Sequence, residues 1–467
     1  MRSSDTSASP TVVRSDPAVL GLIGNTPLVE LTRLDTGRCR LFVKLECQNP
    51  GGSIKDRIAL AMIVAAEQDG RLHPGGTVVE ATAGNTGLGL ALVARAKGYR
   101  VILVIPDKMS AEKVLQLKAL GAEIRMTRSD VTKGHAEYYQ DMAQRLAAET
   151  PGAFYVNQFG NPANPLAHER TTGPEIWEQM EHQVDAVVCG VGSGGTLTGL
   201  SRYFARVSPA TDMVLADPVG SVLAPYVETG NIGTAGSWVV EGIGEDFIPP
   251  IADLSAVKKA YAISDRESLT TARELLRSEL ILGGSSTGTL VAAALRYCRE
   301  QRAPKRVVSF VPDTGSKYLS KMYNDFWMID QGFLELPHHG DLRDLVSRRQ
   351  EDRAVVSVAP EDTLLLAFQR MRIADVSQVP VLAGHDVVGI LDESDLLLRV
   401  YREPERFHDA VATAMTRRLE TLEPSATFAD LLDVLNHDHV AIIVHEGRFF
   451  GLITRYDLLT YLRRSLP

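Results

Sequence analysis

Two glycine-rich stretches, Ala81-Thr82-Ala83-Gly84-Asn85-Thr86-Gly87-Leu88-Gly89 and Cys189-Gly190-Val191-Gly192-Ser193-Gly194-Gly195-Thr196-Leu197-Thr198-Gly199, each follow an apolar run and lead into a helical pattern. The repeated unit of strand, glycine turn and helix constrains this chain more than any other feature. Its turn needs residues without a Cβ, its helix opens with unpaired N–H groups, and the arrangement belongs to α/β folds. The surrounding pattern agrees, predicting strands over 77–81, 101–105, 123–126, 185–189, 213–216 and 306–311, with helices over 87–97 and 110–120. From 17 to 325 the chain therefore reads as an α/β body with a largely parallel sheet.

Glycine turns that open helices collect main-chain donors and a helix dipole, which favours anions. The first turn suits a carboxylate, with hydroxyls from Thr82 and Thr86 and, at Asn85, an amide able to meet a ring oxygen. The second reads as a phosphate cradle, since its glycines admit close approach while Ser193 and Thr196 add hydroxyls without positive charge. Gly190-x-Gly192-x-x-Gly195 also satisfies the dinucleotide fingerprint, and Asp217 stands at the spacing of a ribose-binding acid, so that alternative stays open. A third turn, Gly283-Gly284-Ser285-Ser286-Thr287-Gly288, precedes another helix. A serine hydroxyl facing a pyridine nitrogen leaves the ring nearly neutral, which favours β-elimination and replacement over transamination.

Lys55 lies in Asn49-Pro50-Gly51-Gly52-Ser53-Ile54-Lys55-Asp56-Arg57. Gly51 and Gly52 allow a tight bend, Ser53 suits a helix cap, and Lys55 falls in the first turn of a helix through Ile58 and Met62, its amine held in one direction. An amine so placed can form a Schiff base with an aldehyde cofactor, and with a phosphate cradle downstream the combination points to pyridoxal 5'-phosphate.

The 467 residues exceed what one core fills, so a body plus an appendage is expected. Residues 1–16, Ser/Thr-rich and without the apolar core of a signal peptide, read as a flexible arm. No apolar run approaches membrane-spanning length, and a net charge of -9 disfavours nucleic acid as a partner. Cys39, Cys47, Cys189 and Cys298 show no metal-ligand spacing, which implies reduced thiols, a cytoplasmic setting and no bound metal. After Trp327 the texture changes: 326–342, with Leu336-Pro337-His338-His339-Gly340, reads as a linker, and an internal repeat follows. Val388-Gly389-Ile390-Leu391-Asp392-Glu393-Ser394-Asp395-Leu396 aligns with Phe450-Gly451-Leu452-Ile453-Thr454-Arg455-Tyr456-Asp457-Leu458. Region 343–467 resembles the paired CBS domain, or Bateman module, in halves 343–403 and 404–467. Thr454 and Asp457 match the module's Thr-x-x-Asp element, which implies a site for the ribose of an adenosyl ligand; in the first half Asp392 replaces the threonine.

Four segments, Pro50-Gly51-Gly52-Ser53-Ile54-Lys55-Asp56-Arg57, Thr82-Ala83-Gly84-Asn85-Thr86-Gly87, Gly192-Ser193-Gly194-Gly195-Thr196 and Glu241-Gly242-Ile243-Gly244, occur in this order. Together they resemble the fold-type II (tryptophan synthase β-like) family of cystathionine β-synthases and cysteine synthases, which use pyridoxal 5'-phosphate. The resemblance implies two α/β subdomains with the cofactor in the cleft between them. Lys55 is then the Schiff-base lysine and acid/base, Asn85 meets the ring oxygen, Gly192, Ser193, Gly194, Gly195 and Thr196 hold the phosphate, and Ser285 faces the pyridine nitrogen. Thr82, Gly84, Asn85 and Thr86, with Gln158, receive the substrate carboxylate. The CBS pair and Gly283-Gly284-Ser285 favour a cystathionine β-synthase, whereas Glu169 and Glu245 replace tyrosines of the animal members and are expected on the acceptor side of the cleft. The haem-binding segment of the animal members is absent, so no haem is expected.

The reaction expected is β-replacement. L-serine displaces Lys55, Lys55 takes the α-proton, the β-hydroxyl leaves as water, and a thiol adds. With L-homocysteine the product is L-cystathionine. Cysteine synthesis from O-acetylserine or serine with sulfide is the alternative, and an adenosyl-ligand sensor with a non-catalytic body is an alternative of another class. A homo-oligomer, dimer or higher, is implied by the same resemblance.

Overall fold

The computed structural model describes residues 17–464 apart from 83, 108–110, 129, 132, 133, 336, 337, 353 and 438. The expected arm 1–16, Ala83 of the first glycine turn and Leu336-Pro337 of the expected linker lie outside the described residues. Contacts divide the chain into two bodies, Met1–Tyr323 and Asn324–Pro467.

The strands of the first body are β1 (Leu28–Leu31), β2 (Arg40–Lys44), β3 (Thr77–Ala81), β4 (Arg100–Pro106), β5 (Glu123–Thr127), β6 (Ala153–Tyr155), β7 (Ala186–Cys189), β8 (Asp212–Pro218), β9 (Val257–Ile263) and β10 (Arg306–Phe310). They form a six-stranded sheet in the order β1-β2-β10-β7-β8-β9 and a four-stranded sheet in the order β5-β4-β3-β6. Among the described residues of this body, only the edge strand β1 is antiparallel to its neighbour; every other strand pair is parallel. Both faces of such sheets are covered by helices, which is why β3 and β7 are buried along their whole length, β7 as an unbroken apolar run and β3 as one interrupted by Glu80. One core is built around Leu41, Val43, Val187 and Phe310, the other around Ile58, Met62, Leu90 and Leu103.

Each sheet contains one reversal of winding. The chain passes from β3 through β4 to β5 and returns to the far side of β3 as β6; likewise it passes from β7 through β8 to β9 and returns beside β7 as β10. Reversals of this kind open a crevice at the carboxyl ends of the strands. Both glycine turns fall at such points, one after β3 and one after β7.

In the second body β11 (Gln378–Ala383) and β12 (Asp386–Asp392) form a hairpin, and β13 (Thr421–Leu422), β14 (Ala441–His445) and β15 (Arg448–Ile453) a three-stranded sheet. The stretch expected to be a linker begins instead with a helix, Asp325–Asp330, because Met328 and Ile329 are buried there. The two repeats also exchange their leading segments. Leu342, Leu345 and Val346 pack into the core of the second repeat, with Arg349 bridging Gly451, while Val411 and Met415 pack into the core of the first, with Thr416 bridging Ile390. The glycines at equivalent places permit this: a Cβ on Gly451 would come 2.3 Å from Val346 Cγ1, and one on Gly389 2.6 Å from Met415 Sδ.

Candidate active site

The helix Lys55–Gln68 starts at Lys55 itself, with Ile54 at its N-cap and no side-chain cap. Ser53, expected as the cap, instead takes the Lys55 N–H on its Oγ at 3.3 Å. The bend is made by Gly52 at φ 74° and by the Asp56 carboxylate, which accepts from Gly51 N. Behind it Arg57 is clamped by two carboxylates, Nε to Glu46 Oε2 and Nη1 to Glu175 Oε1, both at 2.7 Å, and Lys44 reaches Glu175 at 2.8 Å. This buried cluster fixes the turn that carries Lys55. Burial pulls the Lys55 amine below its ordinary pKa, opposed by the charges of Glu245 and Asp313. The shift enlarges the fraction of free, nucleophilic amine.

Lys55, Asn85, Gly192, Ser193, Gly194, Gly195 and Thr196 all line one cavity of about 580 Å³. Gly194, at φ 90°, caps the helix Gly195–Val207, whose first N–H groups open toward the cradle. No larger residue fits there: a Cβ on Gly192 would stand 2.6 Å from Gly242 O, and one on Gly195 1.9 Å from Asn164 Oδ1. A cradle of main-chain donors and hydroxyls facing a lysine amine fits pyridoxal 5'-phosphate.

Asn85 is held from both ends. Its Nδ2 donates to Asp313 Oδ2 at 2.8 Å and its Oδ1 accepts from Lys317 Nζ at 2.7 Å, so the amide cannot flip without setting like charges together. One Nδ2 hydrogen remains for a ligand. Asp313 and Lys317, 1% and 5% exposed, were not singled out from the sequence, where nothing local marks them. They belong to a segment whose other members also reach site loops: Tyr318 donates to Asp313, Lys321 to Glu241 and Tyr323 to Gly283 O.

Ser285 is buried, its Oγ accepting from Glu241 N at 3.0 Å; the cavity wall is formed by its neighbour Ser286. Thr82, Gly84, Thr86 and Gln158 gather at the crevice of the four-stranded sheet, where Thr86 Oγ1 donates to Gln158 Oε1 at 2.7 Å and Gly84 N to Thr82 Oγ1 at 3.3 Å. Those four are not among the residues that line the cavity, whereas Asn85, the fifth residue expected at the substrate carboxylate, is. Burial pushes the Glu245 carboxyl up to about 8, with Asp246 adding to the rise and Lys55 opposing it. Neither Glu169 nor Glu245 is among the residues that line the cavity; Glu169 forms an ion pair with Arg206. Glu241 does line it, and pairs with both Lys113 and Lys321. Asp217 is fully buried and its Oδ2 accepts from Ala224 N at 2.8 Å, which turns it away from any ribose and removes the support for a dinucleotide site.

In the second body Asp457 Oδ2 accepts from Thr454 N at 2.8 Å and Thr454 Oγ1 at 2.6 Å, and its Oδ1 from Ser347 Oγ. Thr454 Oγ1 in turn accepts from Asp457 N at 3.2 Å, so the pair caps its helix. Asp392 and Asp395 form the same box in the first repeat.

The pyridoxal-phosphate dependent enzyme family matches residues 19–313, and the CBS domain matches 343–402 and 411–464. The chain is 36% identical over 464 residues to a cystathionine beta-synthase of Apis mellifera, covering 96% of this chain and 91% of that protein. It is 36% identical over 466 residues to a cystathionine beta-synthase of Dictyostelium discoideum, covering 96% and 92%. Cysteine synthase A of Escherichia coli K12 is 43% identical over 301 residues, 64% of this chain. Among solved structures, a hydrogen sulfide-producing enzyme of Fusobacterium nucleatum superposes with a TM-score of 0.60 at 36% identity, covering 64% of this chain and 99% of that one. Similarity along nearly the whole chain, rather than along the first body alone, decides the matter: the chain belongs to the cystathionine beta-synthase family of pyridoxal-phosphate dependent enzymes and carries a C-terminal pair of CBS domains.

Proposed function

We propose that the first body carries out β-replacement, condensing L-serine with L-homocysteine to give L-cystathionine and water. The observation that carries this reading is the desolvated Lys55 amine in one cavity with Asn85 and the glycine cradle. When bound, pyridoxal phosphate supplies the electron sink that makes the substrate's α-hydrogen acidic. Lys55 takes that proton and returns one to the departing hydroxyl, which is too poor a leaving group to go alone. Thr82, Gly84, Asn85, Thr86 and Gln158 receive the substrate carboxylate. Gly192, Ser193, Gly194, Gly195 and Thr196 hold the phosphate, and Ser285 serves the ring nitrogen. Burial raises the Glu245 carboxyl to about 8, which weakens its hold on the Lys55 amine near pH 7.

The donor and acceptor follow the cystathionine beta-synthase relatives matched along the whole chain, while cysteine synthase A supports sulfide as the runner-up acceptor. Thr454 and Asp457 are assigned to an adenosyl ligand, with the protein a cytoplasmic homo-oligomer without haem or metal. No helix among the described residues is long and apolar enough to cross a membrane. The deciding experiment offers serine or O-acetylserine with homocysteine or sulfide and compares kcat/KM for the four pairs. Serine with homocysteine is expected to lead; O-acetylserine with sulfide leading would make the protein a cysteine synthase.

A further inference from the structure

Behind the glycine cradle, helix Ala163–Ala167 passes into a π-helical turn, His168–Thr172. Such turns are rare and tend to mark functional sites. The helix and the turn together place Asn164 and His168 against the back of the cradle. Asn164 Nδ2 donates to Ser193 Oγ at 3.0 Å and to Gln158 O at 2.8 Å. His168 Nε2 lies 3.2 Å from Thr196 Oγ1, and its Nδ1 lies 2.9 Å from Thr172 Oγ1. Asn164 is 1% exposed, His168 and Thr172 0%. The close approach depends on missing side chains: a Cβ on Gly195 would meet Asn164 Oδ1 at 1.9 Å, and one on Gly199 the His168 Cβ at 2.8 Å.

A hydroxyl owns one proton and two lone pairs. Ser193 accepts from Asn164, so its proton is free to face the cavity. Thr196 is left in the same state when His168 carries its hydrogen on Nε2 and accepts from Thr172 on Nδ1. The other tautomer would turn the Thr196 lone pairs toward a phosphate. Burial first, and then the charges of Arg57 and Lys55, keep the ring from becoming a cation.

We propose that Asn164 and His168 are positioning residues of the phosphate site, accepting no ligand contact themselves but turning the Ser193 and Thr196 hydroxyls so that both donate to a phosphate monoester. The proposal rests on the reading of the cradle as a phosphate site. Thr172, His168 and Thr196 then form a relay of hydrogen bonds pointing one way, and the selectivity it confers is for the phosphate, not for the ring.

Dissociation constants of pyridoxal phosphate and of phosphate-free pyridoxal, measured on full-length protein stripped of cofactor, test this together with the phosphorus NMR shift of the bound phosphate. His168→Phe is expected to weaken pyridoxal phosphate by about tenfold, to leave pyridoxal unchanged and to move the phosphorus resonance. His168→Gln, whose amide can still donate, recovers most of the loss. In a Thr196→Val background His168→Phe has no further effect. Asn164→Asp, of the same size, turns the Ser193 proton back and gives a second phosphate-specific loss if His168→Phe does not fold. The proposal is overturned if the variants weaken both ligands equally, or if the His168 effect survives Thr196→Val, since His168 is then only packing. A wild-type protein that binds the two ligands equally well overturns the phosphate reading itself.

Discussion

Glu80 is a carboxylate in β3, 1% exposed, and no partner for its Oε2 exists among the described residues. Burial pushes its pKa up to about 8 against main-chain donors from Gln158, Ala81 and Asn157. The native state therefore binds more protons here than the unfolded chain. The stability from this group is complete below the ordinary carboxylate pKa near 4.5 and is lost as pH rises toward about 8. Glu80→Gln is expected to raise the melting temperature at pH 8, reflecting a gain on the order of 2–4 kcal/mol, and to change little near pH 5. Lys55→Ala is expected to lower kcat/KM by about a thousandfold or more and to abolish borohydride attachment of the cofactor, checked by mass spectrometry. Lys55, Asn85 and the cradle were legible because each lies in an unbroken motif whose glycines announce a close approach of the backbone. Asp313, Lys317, Asn164 and His168 were not, because they arrive from distant parts of the chain and act through a neighbour. The ion pair of Glu169 with Arg206 was not legible either, since only the folded chain brings Arg206 beside it.

Buried strands announced themselves as elements: β3 runs over the predicted residues because Val78, Val79 and Ala81 are buried on both of its faces. Element starts were harder to read, since Ser53 has the chemistry of a cap while the helix waits for Lys55. The clamp on that helix is testable. Arg57→Met removes one partner from a buried cluster and leaves Glu46 without its cation, while Glu175 keeps only Lys44, so an unfolding cost of about 3–5 kcal/mol is expected in denaturant melts. In the second body Thr454→Val removes a helix cap worth about 1 kcal/mol, whereas Thr454→Ser keeps it. Calorimetry of both variants, read beside adenosyl-ligand binding, separates the capping role from the ligand role.

Each body carries its own cores, those of the first lying within 20–311 and those of the second within 342–458. A chain ended after Tyr323 is therefore expected to fold and turn yellow with cofactor, by absorbance and circular dichroism. The halves of the second body are not independent in this way. A fragment of 343–403 keeps Gly389 but loses Met415, and with it part of the first core, so it is expected to show no cooperative melt while 324–467 does. The repeat was legible from its matching strings; the exchange was not, because it is a matter of which copy a leading segment chooses.

Tyr318, Lys321 and Tyr323 tie the last stretch of the first body to Asp313, Glu241 and Gly283 just before the chain crosses into the CBS pair. A fluorescent cofactor seated in that cavity thereby shares its surroundings, through a few side chains, with the last residues of the first body. Its emission becomes a built-in gauge: substitutions at Tyr318, Lys321 or Tyr323 are expected to change its colour and brightness, with no dye attached.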